Sequence, residues 1–220
     1  MFQTGQFDCG TCVPGNMNHL PGFTICRASE NEAGDLAVLA VMAGDGLPLV
    51  TWEAMREGGE SVMDAGRRRA ARKEGAFSYR NAEVAFQNGR VVAAVVSWPL
   101  EPGKPPDPLE DVPPLFRPLA ALENKAIPSW HINVLACRPE ARGQGAGTAL
   151  LGEVEKRARL AGYRHLSLIV TDANPARALY ERVGFRGVAR EAMAATRPEH
   201  AGQDWILMVK PVLPGQGGAG

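Results

Sequence analysis

Hydrophobic and polar positions change period several times along the chain, and each change marks an element. Alternation over Phe23, Ile25 and Arg27 predicts a first strand at 23–27. Helical spacing follows: Ala33, Leu36, Ala37, Ala40 and Val41 predict a helix over 32–43, with Gly44 placed to end it. Two further helices are expected over 52–58 and 61–74. Period two returns at 81–87 and 90–98, and the Asn88-Gly89 pair between them is a strong short hairpin signal. Eight of the seventeen prolines fall in 99–118, so no helix or central strand is expected to cross that stretch. A short helix at 119–125 closes it. The stretch 131–137 then reads as a strand stopped by Pro139. Ala146, Leu150, Val154 and Ala158 step by four and predict a helix over 146–161, ended by Gly162. An apolar strand at 165–171 follows. Asn174 and Pro175 look like an N-cap and first helical residue for a helix over 174–183, with Gly184 beyond it. Strands at 185–189 and 205–210 complete the series.

Strand–helix–strand–helix–strand order predicts an α/β sheet with at least one parallel pair. No internal repeat interrupts it. The 220 residues suit one domain with appendages. We expect a flexible, Gly- and Asn-rich arm over 1–22, a domain over 23–212 and a flexible tail over 213–220. Composition adds mainly exclusions. Twenty-four basic and twenty-four acidic side chains cancel, so the basic excess of a phosphate-tracking nucleic-acid binder is missing. The longest apolar run, 91–96, is six residues and far below a membrane span. Four cysteines are too few for a disulfide scaffold, and the first residues carry no secretory pattern, so a cytoplasmic protein is expected.

Arg142-Gly143-Gln144-Gly145-Ala146-Gly147-Thr148 stands between a strand and a helix. Glycines at alternate positions let the backbone approach a ligand and aim successive N–H groups at one point, and the helix adds its positive end. The chemistry suits phosphate or pyrophosphate, although such loops also occur as plain turns. A nucleotide loop of Walker type needs a lysine before Thr148, where Gly147 stands. A dinucleotide fingerprint needs glycine at 148 and an acidic residue about 20 positions on, and 163–170 holds none.

What does fit is Arg142-x-x-Gly145-x-Gly147 after the strand ending at Cys137, followed downstream by Asn174-x-x-x-Ala178-Leu179-Tyr180-x-x-x-Gly184-Phe185. Both segments resemble the GCN5-related N-acetyltransferases (GNAT superfamily), most closely over 130–187. The resemblance implies a mixed, mostly antiparallel six- to seven-stranded sheet flanked by helices, and transfer of acetyl from acetyl-CoA directly to a primary amine. It implies pyrophosphate binding by Arg142, Gly143, Gln144, Gly145, Ala146, Gly147 and Thr148. It places the pantetheine arm along Leu135, Ala136 and Cys137 like an added strand, with Asn174 hydrogen-bonding to it. Tyr180 would face the thioester sulfur; a phenol, with an ordinary pKa near 10, carries a proton at neutral pH and can give it to the leaving thiolate. The alternative for Tyr180 is packing, since Ala176, Leu179 and Val183 share its helical face.

An alkylammonium with pKa about 10.4 is only about one part in two thousand neutral at pH 7, so its proton must be taken. His131 shares a strand face with Asn133, Leu135 and Cys137, roughly where histone-acetylating members of the family carry a glutamate base. Imidazole chemistry suits that role; a structural histidine is the alternative, and Glu123, Glu83 or water are rival acceptors. Cys137 is read as a small apolar filler. Cys9, Cys12, His19 and Cys26 match no common zinc spacing, and no metal is expected. Arg67, Arg68, Arg69, Arg72 and Lys73 read as a solvated helix face, with steering of an anion as the other option. The expected partner is a small amine, with neither nucleic acid nor membrane, and a homodimer is left open. The competing functions are a non-catalytic acyl-CoA-binding module and an ATP-binding protein.

Overall fold

The computed structural model describes residues 18–20, 22–44, 46–103, 108–194 and 202–213. They form two compact units: the chain up to Ser97 together with Val134–Leu151, and Trp98–Asn133 together with the chain from Gly152.

In the first unit, strands β1 (Asn18–Leu20), β2 (Phe23–Arg27), β3 (Ala82–Gln87) and β4 (Arg90–Leu100, whose last residues belong to the second unit) lie side by side in that order and pair antiparallel. Asn88 and Gly89, with φ of 51° and 75°, make the tight β3–β4 turn the sequence predicts. Three helices, α1 (Ala33–Ala43), α2 (Leu47–Glu53) and α3 (Val62–Ala70), lie between β2 and β3 in the chain. Local chemistry starts two of these segments. Ser29 accepts from the Asn31 N–H while Glu32 accepts from the Ser29 N–H at 2.7 Å, a capping box ahead of α1. Ser61 and Asp64 repeat it at α3.

A glycine decides how α3 packs. A Cβ on Gly66 would lie 2.4 Å from the Trp52 ring, which is buried on α2 and meets Phe77 at a tilt of 34° with 5.7 Å between ring centres. Gly66→Ala should therefore lower unfolding free energy by about 1–3 kcal/mol, the usual range for overpacking, as read by denaturant titration. A stability equal to wild type would show that the indole moves aside at no cost.

The second unit orders its strands β5 (Ser129–Cys137, of which the last four residues belong to the first unit), β6 (His165–Thr171), β8 (Asp204–Pro211) and β7 (Arg186–Ala192). Pair β5–β6 is parallel and the other two are antiparallel. Helix α4 (Arg117–Lys125) precedes β5 and α6 (Arg177–Arg182) precedes β7. Helix α5 (Ala146–Leu160) begins in the first unit and ends in the second, with Leu150, Val154 and Ala158 fully buried. Lys210 on β8 reaches Glu155 on α5 at 2.6 Å.

Several expectations are corrected. Eight strands are present among the described residues, one more than the upper expectation, because Asn18–Leu20 inside the expected arm pairs with β2. The helix expected at 52–58 lies at Leu47–Glu53: Gly46 in the left-handed region and Pro48 in the first turn start it early. Strand β4 continues through Pro99, which costs nothing on the β3 side because that ladder ends at Val96. Asn174 does not cap α6; its Oδ1 accepts from the Ala176 N–H at 2.8 Å and a tight turn precedes Arg177. Cys26 is disulfide-bonded, which a reading from cysteine number missed. Cys9, Cys12 and most of the expected arm and tail lie outside the described residues. No helix among the described residues is long and apolar enough to cross a membrane.

Candidate active site

In the first unit the site begins where β5 ends. Within the second unit β5 pairs with β6 at Trp130↔Leu166, His131↔Ser167 and Ile132↔Leu168. Burial alternates over 134–137 as period two requires: Val134 and Ala136 are buried, while Leu135 and Cys137 are half-buried. Arg138 anchors the strand end. Its backbone N–H donates to Val92 O at 2.8 Å, and its guanidinium donates to Val91 O at 2.9 Å and Asp35 at 2.6 Å.

A single turn over Pro139–Ala141 leads into the glycine loop. Gly143 and Gly145 have φ of 74° and 92°, a conformation side chains rarely adopt. A Cβ built on either would meet nothing within 4 Å, so open space lies over both. The first α-type hydrogen bond of α5 runs from the Ala149 N–H to Gly145 O at 3.0 Å, which leaves the preceding N–H groups at the helix's positive end. Gln144 is tied down from both sides: its Nε2 donates to Glu140 O, and Gln87 on the hairpin donates to its Oε1, both at 2.9 Å. Arg142 is exposed and donates to Cys137 O at 3.3 Å. The Cys137 thiol is free; burial pushes its pKa up, against the Gly147 N–H and Arg142, which pull it down.

Helices α2 and α3 of the first unit line a mostly apolar groove of about 590 Å³ with Leu49, Val50, Glu53, Ala54 and Val62. The basic cluster on α3 is partly offset by carboxylates: Arg68 bridges Glu57 at 3.0 Å and Glu60 at 2.7 Å. Glu83, a rival base, is buried and bridged to Arg27 at 2.9 Å.

In the second unit, Tyr180 on α6 is buried, and its ring meets Phe185 edge-on at 5.9 Å. The Phe185 N–H returns to Tyr180 O at 2.9 Å and fixes the end of the helix. Asn174 is half-buried six residues earlier, with its side-chain carbonyl oxygen engaged by the Ala176 N–H. His131 is only 1% exposed. Its Nδ1 lies 3.0 Å from Ser167 Oγ, which lies 2.7 Å from Ser129 Oγ, and Trp98 meets the ring edge-on at 5.8 Å. Nε2 lies 3.9 Å from Glu123 on α4. Burial lowers the imidazole pKa to about 4, so the ring is neutral at pH 7. Sequence reasoning missed Ser129 and Ser167. The available signal was a serine third in the apolar run 165–171 and another two residues before His131 on the same strand face.

The architecture matches that of known acetyltransferase structures. A crystal structure of an acetyltransferase is 21% identical, with 86% of this chain and 99% of that one covered and a TM-score of 0.59. A Drosophila melanogaster polyamine N-acetyltransferase shares 17% identity over the same fractions, with a TM-score of 0.61. An agmatine N-acetyltransferase shares 18%, again over 86% and 99%, with a TM-score of 0.62. At these identities the likeness shows the fold. No curated protein sequence matches the chain. The sequence evidence is independent of the architecture: residues 50–185, which include the glycine loop and the Asn174–Phe185 segment, match the model of the acetyltransferase (GNAT) family, and the chain belongs to that family.

Proposed function

We propose that this protein transfers acetyl from acetyl-CoA directly to a primary amine, through one catalytic domain over 23–212. The observation that carries the reading is the glycine loop, with two left-handed glycines under open space at the start of a fifteen-residue helix. Acetyl-CoA is a substrate here. Its pyrophosphate would take the N–H groups of 142–148 and the charge of Arg142. Its pantetheine amides would pair with the backbone of 135–137. The neutral amine attacks the acetyl carbon. The C–S bond then breaks with its electron pair on sulfur, and Tyr180 supplies the proton that makes the thiol. The surplus proton on the new amide nitrogen replaces the one Tyr180 gave up. Agmatine and polyamines appear in the names of proteins that share this fold, and such cytoplasmic amines are the first acceptors to test.

Titration calorimetry should give micromolar binding of acetyl-CoA and much weaker binding of ATP. Gly145→Val should weaken acetyl-CoA about 10- to 100-fold, as expected for losing a charge-assisted N–H contact worth about 1.5–3 kcal/mol. Normal binding by that variant would move the pyrophosphate elsewhere. Acetyl-CoA binding without thiol release from any of agmatine, spermidine or tryptamine would overturn amine transfer in favour of a binding module.

A further inference from the structure

We propose that Arg138 is a positioning residue for acetyl-CoA: tied to Asp35 and to two carbonyls of β4, it fixes the span between the strand that takes the pantetheine arm and the loop that takes the pyrophosphate. The inference rests on the acetyltransferase reading above, in which 135–137 and 142–148 hold the two halves of one donor. Residues 138–141 are all that joins those segments. Whatever sets the geometry of these four residues sets the distance between the half-sites.

The backbone of the joint is restricted from within. Arg138 precedes Pro139, which disfavours the helical region for it, and it lies at φ −57° and ψ 145°. One tight turn follows, in which the Ala141 N–H donates to Arg138 O at 3.0 Å and the Arg142 N–H to Pro139 O at 3.3 Å. The direction in which this turn leaves the sheet is set by what Arg138 holds. In a regular strand neighbouring carbonyls point to opposite edges. Strand β4 has one residue too many here: Phe86 pairs with Val91 and Ala85 with Ala93, so Val92 is left over as a bulge. Val92 O accepts from the Arg138 backbone N–H at 2.8 Å, and Val91 O accepts from its Nε at 2.9 Å. The far end of the guanidinium donates to Asp35, in the first turn of α1, at 2.6 Å. Helix α1, the β4 bulge and the joint therefore meet at one planar group. A lysine carries the same charge but cannot present two fixed N–H directions at once.

Exposure separates this role from a purely structural one. The side chains of Arg138 and Asp35 are 29% and 37% exposed, and an ion pair in that setting adds little to folding stability. The glycine loop has ties of its own, from Gln144 to Glu140 O and to Gln87, that do not pass through Arg138. Loss of the clamp leaves each half-site formed and loosens their spacing. A ligand that bridges both then loses the benefit of having its second half presented in place.

The test uses the full chain and compares acetyl-CoA with 3′-phospho-ADP, the piece of it that keeps the pyrophosphate and lacks the pantetheine arm. In Arg138→Met the Kd of acetyl-CoA should rise about tenfold, the low end for losing hydrogen bonds to charged groups. The Kd of 3′-phospho-ADP should stay within about twofold, because it occupies one half-site alone. Asp35→Asn should raise the acetyl-CoA value about threefold, the scale of one partly exposed ion pair. Arg138→Lys should fall between these two variants. In turnover the change should appear in KM for acetyl-CoA, with kcat and the KM of the amine nearly constant. Unchanged acetyl-CoA affinity in Arg138→Met, or equal losses for both ligands, would overturn the inference and leave the acetyltransferase reading standing. So would a wild type that binds acetyl-CoA but not 3′-phospho-ADP. Asp35→Asn carries the same comparison if Arg138→Met folds poorly. A wild type that binds neither ligand would defeat both readings.

Discussion

Tyr180→Phe should slow the single-turnover rate about 10- to 1,000-fold, the scale of a lost positioned acid, and leave acetyl-CoA affinity nearly unchanged. The substitution keeps the aromatic ring and removes the hydroxyl. Tyr180 is buried, and its edge-on contact with Phe185 depends on the ring rather than the hydroxyl. The backbone bond that closes α6, from the Phe185 N–H to Tyr180 O, is also indifferent to the change. A thioester whose thiol is more acidic should shrink the loss, because a better leaving group needs less help. A purely structural tyrosine gives the opposite pattern: a stability loss of about 1–3 kcal/mol from the broken contact, and normal turnover in the folded fraction. Full activity in a destabilised variant would end the acid proposal and leave the family assignment intact.

Acid should weaken the fold through His131. Its pKa falls from 6.5 to about 4 on folding because the imidazole is buried. Between those values the unfolded chain binds a proton that the folded chain refuses. The contribution is therefore complete above pH 6.5 and is lost as pH falls toward 4, to a total of roughly 3 kcal/mol. Denaturant titrations at pH 7.5 and 4.5 on wild type and His131→Gln measure it as the difference between the two proteins. The variant should be less stable at pH 7.5, yet lose roughly 2–3 kcal/mol less on acidification. Parallel pH dependence in both would show that the imidazole charges without penalty.

How much of this the sequence carried depends on how local the signal is. The Asn88-Gly89 hairpin, the glycine loop and α5 are written in short-range chemistry, and each stands where the sequence places it. The short helix α2 does not, because Gly46 and Pro48 outweigh a weak apolar period. Pro99 was read as a strand breaker from its residue type alone; whether a ladder needs its missing N–H depends on where the neighbouring strand stops. Asn174 carries the right residue for a cap and spends it on its own turn. The candidate site divides in the same way. The loop follows from its spacing, whereas the row Ser129–Ser167–His131 arises from a strand register that no local pattern encodes.

The contact between Gly66 and Trp52 has a bearing on how this sequence diverges. A methyl group at 66 and an indole at 52 exclude one another, so the two positions cannot drift independently. Substitutions there are non-additive: a smaller residue at 52 turns a harmful side chain at 66 into a filler of the vacated space. Among relatives that keep α2 and α3 packed as here, any side chain at position 66 is expected to arrive together with, or after, loss of the indole, and reversion of one to depend on the state of the other.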